Sequence, residues 1–191
     1  MAAPAVQAET TQQLYGRLMA ARRGDPVEET LACMLASWAT GVGSMPDWLG
    51  LGEAGFYNML RQHFPQFDIT LFENPGRPVD RQRLDEMQDL HKLLMQNRSG
   101  RSAVETCMAE IVIAGCLGND HLWQDLGLWQ RADLSKLMLD NFAPLAKRND
   151  KDMKWKKFLY KQLCETEGIY TCRSPSCEVC ADYANCFGPE E

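Results

Sequence analysis

Apolar residues recur at steps of three and four along almost the whole chain, and alternation at steps of two is nearly absent. That spacing predicts an all-α protein. Asp25-Pro26 followed by Glu28 and Glu29 reads as an N-cap, a first-turn proline and acids that suit the positive end of a helix. The helix opened there should run to Gly41 or Gly43. Leu84, Met87, Leu90, His91 and Leu94 fall on one stripe, with Asp85, Glu86, Gln88 and Asp89 toward water. Ser102 and Glu105 form a capping box ahead of Ile111, Val112, Cys116 and Leu117. Phe67 to Phe72 alternates weakly between Pro65 and the loop Asn74-Pro75-Gly76-Arg77-Pro78, and reads as an extended connector.

The pattern also repeats faintly. Trp48-Leu49-Gly50-Leu51, then Phe56, Met59, Leu60, Phe64 and Pro65, has a counterpart in Asp125-Leu126-Gly127-Leu128, then Leu134, Leu137, Met138, Phe142 and Pro144. Each set follows a helix that begins near a Glu-Thr pair (Glu29-Thr30, Glu105-Thr106) and ends in glycine. The physical reading is a helical bundle with two helix–turn–helix units, about 26–65 and 101–145. Their apolar faces pack together and Leu-Gly-Leu makes each turn. The expected organisation is an N-terminal segment 1–25, a helical body 26–166 and a cysteine-rich tail 167–191.

Composition adds limits. With 191 residues, 45% hydrophobic and 24% charged, the chain can build its own core, and no apolar run is long enough for a membrane span. A net charge of −6 argues against a general nucleic-acid binder. The N-terminus lacks the basic and apolar regions of a signal peptide, so a cytoplasmic location is expected. The charge is unevenly spread. Lys147 to Lys161 holds seven basic and two acidic residues, so the rest of the chain carries −11. A helix from about Lys151 to Glu165 would bury Trp155, Phe158, Leu159, Gln162 and Leu163. It would leave Lys147, Lys151, Lys154, Lys157 and Lys161 as one exposed basic stripe.

Four of the eight cysteines crowd into fifteen residues as Cys172-x4-Cys177-x2-Cys180-x5-Cys186. In a reducing compartment such a cluster points to metal ahead of disulfides. Zinc knots favour two close C-x2-C pairs, and only one is present. The wider gaps suit an iron–sulfur cluster whose corners are reached one at a time. From spacing, an iron–sulfur cluster leads, with zinc and disulfides as the alternatives. Thr40-Gly41-Val42-Gly43 faintly echoes the hairpin glycines of endonuclease III-like DNA glycosylases, which also end in a four-cysteine loop. Met45-Pro46 stands where a phosphate-binding helix should begin, and the acidic charge opposes DNA binding.

The run His121-Leu122-Trp123-Gln124-Asp125-Leu126-Gly127-Leu128 stands ahead of Met153-Lys154-Trp155-Lys156-Lys157-Phe158-Leu159-Tyr160. Gln162-Leu163-Cys164 and the cysteine cluster, closing on Cys186-Phe187-Gly188, follow. Together these resemble the NifQ family of nitrogen-fixation proteins, closely over about the last ninety residues and more loosely before. The resemblance implies a molybdenum donor for the iron–molybdenum cofactor of nitrogenase. It implies an iron–sulfur cluster that also holds molybdenum, and partners that include the cofactor scaffold protein and the nitrogenase iron protein.

The inherited role suggests a mechanism. Three of the four thiolates would hold about three irons with sulfide, leaving a corner for molybdenum. Lys154, Lys157 and Lys161 would draw molybdate toward it. Cys164, eight residues before Cys172, and His121, beside the expected N-cap Asp120, are accessory ligand candidates. His63, His91, Cys33, Cys107 and Cys116 read as structural. No phosphate loop, nucleophile–base set or carboxylate pair stands out, so a metal carrier is expected over a turnover enzyme. An iron–sulfur redox protein without molybdenum and a zinc-stabilised interaction module are the alternatives.

Overall fold

The computed structural model describes residues 9–72, 76–79 and 83–167. Over these the chain is all-α. The helices are α1 (Thr11–Ala20), α2 (Val27–Ala39), α3 (Gly52–His63), α4 (Leu84–Gln96), α5 (Val104–Cys116), α6 (Leu122–Asp125), α7 (Arg131–Asn141), α8 (Ala143–Ala146) and α9 (Trp155–Glu167). No strand occurs among the described residues.

α2 and α5 carry apolar side chains nearly all round, the mark of helices enclosed by others. Leu31, Met34, Leu35 and Trp38 of α2, and Met108, Ile111, Val112 and Ile113 of α5, are buried in one continuous core. α1 packs on α2 through Leu14 and Leu18, and α4 packs on α5 through Leu90 and Leu94. α9 crosses α4. The segment 1–25 thus contributes a helix to the body.

The predicted helix starts are real. Asp25 Oδ1 accepts the Val27 N–H at 3.0 Å, and Pro26 already has helical torsions. Glu28 does not face water. It is buried and accepts the N–H groups of Gly24 and Asp25 at 2.7 and 3.0 Å, with His63 Nδ1 3.4 Å from its other oxygen. Glu105 occupies the same place on α5. It accepts from Gly100, Arg101 and Ser102 at 2.9, 2.7 and 3.2 Å. Each carboxylate ties an incoming loop to the helix it opens.

Both Leu-Gly-Leu sequences make turns, with Gly50 at φ 80° and Gly127 at φ 71°. A Cβ on Gly50 would lie 2.7 Å from Ala114 Cβ on α5, and one on Gly127 would lie 2.6 Å from Ser37 Cβ on α2. Each turn therefore seats on the long helix of the other segment. The helices that follow, α3 and α7, both end on a buried phenylalanine. Phe64 (φ −130°, ψ 58°) and Phe142 (φ −135°, ψ 46°) donate N–H to Leu60 and Met138 carbonyls at 2.7 and 2.8 Å. The entries into the turns differ. Trp48 and Leu49 are left-handed at φ 56° and 54°, whereas Leu122–Asp125 is the right-handed helix α6.

Three local expectations are corrected. The connector after Pro65 holds a 3₁₀ turn, Ile69–Leu71, because Asp68 Oδ1 accepts the Thr70 N–H at 3.1 Å. Leu84 is exposed, since it opens α4 where the stripe has not yet reached the core. His91 lies at the surface, with Nε2 3.2 Å from Glu110 Oε1.

Candidate functional site

Cys172, Cys177, Cys180 and Cys186 lie outside the described residues. The structure describes the helix that leads into them. Trp155, Phe158, Leu159, Gln162 and Leu163 of α9 are buried, as its periodicity predicts. Cys164 is half-buried on the same helix.

The basic stripe is not a single exposed face. α9 begins only at Trp155, after Asp152, which is left-handed at φ 53° and forked to Arg131 by two bonds of 2.7 Å. Lys147, Lys151 and Lys154 therefore precede the helix. Lys154 is half-buried and Lys157 is buried, because the phase of α9 turns position 157 into the body. Lys161 is exposed, with its ammonium 3.6 Å from Glu165.

Charged residues instead fasten α9 from within. The Lys156 ammonium, on the buried side, bonds the Asp125 carboxylate and the Gly118 carbonyl, the latter at 2.8 Å. Asp125 is buried, and it also accepts from Ser44 Oγ and, at 3.1 Å, from the Asp120 N–H. One turn on, the Tyr160 hydroxyl donates to Glu86 and receives Arg83 Nη2 at 2.9 Å. Arg83 also bonds the Leu117 carbonyl at 3.1 Å. Both networks converge on the Leu117 and Gly118 carbonyls just past the end of α5, where cations complement the negative helix end. Burial pushes the Tyr160 hydroxyl well above its ordinary value, so it donates as a neutral group.

His121, not Asp120, caps α6, and its N–H donates to Gln124 Oε1 at 3.3 Å. Asp120, one residue earlier, donates its own N–H to Asp125 Oδ2 at 3.1 Å. Among the described thiols, burial pushes Cys33, Cys107 and Cys116 up to about 12. They are protonated at neutral pH, the form that neither binds metal nor attacks. No group of three or more His, Cys, Asp and Glu side chains among the described residues could hold a metal ion.

The anchors Lys156, Tyr160, Arg83 and Glu86 were missed by sequence reasoning. The one available signal was phase, since Lys156 and Tyr160 stand four apart within the apolar stripe of α9.

Set beside known proteins, the sequence has clear relatives. The NifQ family model matches residues 30–188, a span that begins within α2, contains α3 to α9 and includes all four tail cysteines. The chain belongs to the NifQ family. It is similar to Protein NifQ of Azotobacter vinelandii, 41% identical over 190 residues that cover 90% of this chain and 97% of that protein. It is also similar to Protein NifQ of Klebsiella pneumoniae, 37% identical over 160 residues covering 77% and 90% of the two chains. The Protein NifQ homolog of Sinorhizobium fredii is 34% identical over 74% of this chain and 61% of its own. No solved structure matches the chain. Membership of NifQ ties the protein to nitrogen fixation. No described helix is long and apolar enough to cross a membrane.

Proposed function

We propose that this NifQ protein holds an iron–sulfur cluster on Cys172, Cys177, Cys180 and Cys186 and carries molybdenum there for assembly of the nitrogenase iron–molybdenum cofactor. The observation that carries the reading is the ungapped Cys-x4-Cys-x2-Cys-x5-Cys signature inside the span matched by the family. Four thiolates are the soft donors that iron and sulfide clusters require. The Cys33, Cys107 and Cys116 thiols of the helical body suit that role less, since burial pushes them up to about 12.

Molybdate is the incoming cargo, and the cofactor scaffold protein and the nitrogenase iron protein are the expected partners of delivery. The role is that of a carrier, not a turnover enzyme. Exposed Lys147, Lys151 and Lys161 give the entrance to α9 a positive field in an otherwise acidic chain, enough to bias the approach of a dianion. Cys164 is positioned one short stretch of chain before the cluster and is the accessory thiol of this reading.

Metal analysis with EPR on anaerobically purified protein tests the proposal. Molybdenum together with about three irons per chain is the expected result. Iron without molybdenum would establish a redox protein instead, and zinc an interaction module. Single Cys→Ala changes at positions 172, 177, 180 and 186 should lower iron and molybdenum content. The same change at Cys107, half-buried in the helical body, should not.

A further inference from the structure

A cleft of about 420 Å³ opens between α1, α2 and the start of α7, away from the cysteine signature in sequence and not needed for metal carriage. Cys33, Thr30 and Leu128 line it. The Tyr15 and Trp129 rings meet at its wall with centroids 4.8 Å apart. Trp129 is 42% exposed, although an indole is costly to leave in water.

Two carboxylates also line the cleft, Glu29 from α2 and Asp133 from α7. Asp133 accepts from the neutral Gln130 amide at 3.0 Å, and no ion pair among the described residues uses either acid. Lys136 lines one edge, but its ammonium is 3.0 Å from Asp140, which lies outside the lining. Arg22, the other nearby cation, turns its guanidinium to the Met19 carbonyl. The negative field crosses the cleft, because Asp133 and Glu29 add to the burial that holds the Cys33 thiol high.

The exposed face of Trp129, tilted 58° to the Tyr15 ring, beside two carboxylates that no ion pair among the described residues uses, fits a planar cation whose N–H groups fork. We propose that this cleft docks an arginine side chain presented by an exposed segment of a partner protein. Its guanidinium stacks on the exposed Trp129 face and bridges Glu29 and Asp133. Lysine fits less well, since an ammonium is a compact, strongly hydrated point charge that cannot stack or fork. A protein segment is favoured over a free guanidinium because a second, more open hollow that shares Lys136 with the cleft adjoins it. Trp129 at the lip and Leu139, 47% exposed further along α7, offer contact to residues flanking the arginine. The −6 charge of the chain complements such a basic segment.

The test titrates the full-length protein with a capped Gly-Gly-Arg-Gly-Gly peptide while following the indole N–H resonance assigned to Trp129 through Trp129→Phe. Citrulline and lysine versions of the peptide, and methylguanidinium, are the comparisons. The arginine peptide should shift that resonance saturably, at least ~10-fold tighter than the citrulline peptide, which keeps the shape and loses the charge. Glu29→Gln with Asp133→Asn should weaken it by a similar ~10-fold factor with the unfolding midpoint retained. Equal binding of arginine and citrulline peptides, or unchanged binding by the double variant, overturns the proposal. Methylguanidinium binding as tightly as the peptide overturns docking in favour of a small-cation site. Should the double variant not fold, Glu29→Gln alone decides, because Glu29 is exposed and unchanged affinity would remove it from the site.

Discussion

Glu28 and Glu105 stand in the first turns of α2 and α5, where a helical wheel assigns acids to water. Both are buried, and each accepts two or three backbone N–H groups from the loop before its helix. Removing such an acceptor leaves several enclosed donors without partners. Glu105→Ala should therefore destabilise the fold by about 2–4 kcal/mol in urea unfolding, well above an ordinary cap deletion. The buried thiols make a second residue-scale prediction. An unfolded thiol ionises near 9, whereas those of Cys33, Cys107 and Cys116 hold their protons to about 12. Above pH 9 the unfolded chain releases protons that the native chain keeps, so stability is intact below pH 9 and falls as pH rises toward 12. Equilibrium unfolding between pH 7 and 10.5 should show this decline. A Cys33→Ala, Cys107→Ala, Cys116→Ala triple variant, though less stable at neutral pH, should lose less of its own stability over that range.

At the scale of elements, the turns and the last helix decide the architecture. Gly127 combines a positive φ with a neighbour where its Cβ would sit, so Gly127→Ala should cost at least about 2 kcal/mol, and Gly50→Ala a similar amount. Thermal unfolding monitored by circular dichroism measures both. Lys156→Met would bury Asp125 without its cation and should cost about 3–5 kcal/mol. Tyr160→Phe deletes one hydroxyl from a network that keeps its Arg83–Glu86 pair, and should cost about 1–2 kcal/mol. Sequence periodicity was a good guide to elements whose information is local. Asp25-Pro26 marked a start, the Leu-Gly-Leu pairs marked turns, and Trp155, Phe158 and Leu159 marked the inner face of α9. It was a poor guide to Glu28, Lys156 and Lys157. Whether a charged residue on an inner phase turns outward or finds a buried partner depends on what the fold brings to it. For Lys156 that partner is Asp125, 31 positions earlier.

For the whole molecule, the described core has buried side chains that run from Leu14 to Leu163. A chain ending at Glu167 should unfold cooperatively with a midpoint within a few degrees of the full protein, yet retain no iron; calorimetry and metal analysis check the two halves of that statement. The candidate site was legible in sequence for a physical reason. Four thiols within fifteen residues carry their coordination chemistry in their own spacing, independent of the fold. The Tyr15–Trp129 cleft was illegible for the opposite reason. Its walls come from α1, α2 and α7, more than a hundred residues apart, and no local pattern announces that they meet.

The crossed seating of the two glycine turns bears on how the chain matures during synthesis. Gly50 finds its seat on Ala114, and Gly127 finds its seat on Ser37, so neither half can close alone. The α1–α3 segment, made before α5, must wait as an unfinished surface until α5 has followed. The segment that bears the cysteine signature follows the helical body in chain order. Its thiols are thus offered to metal only once all the residues of the helical body have been made.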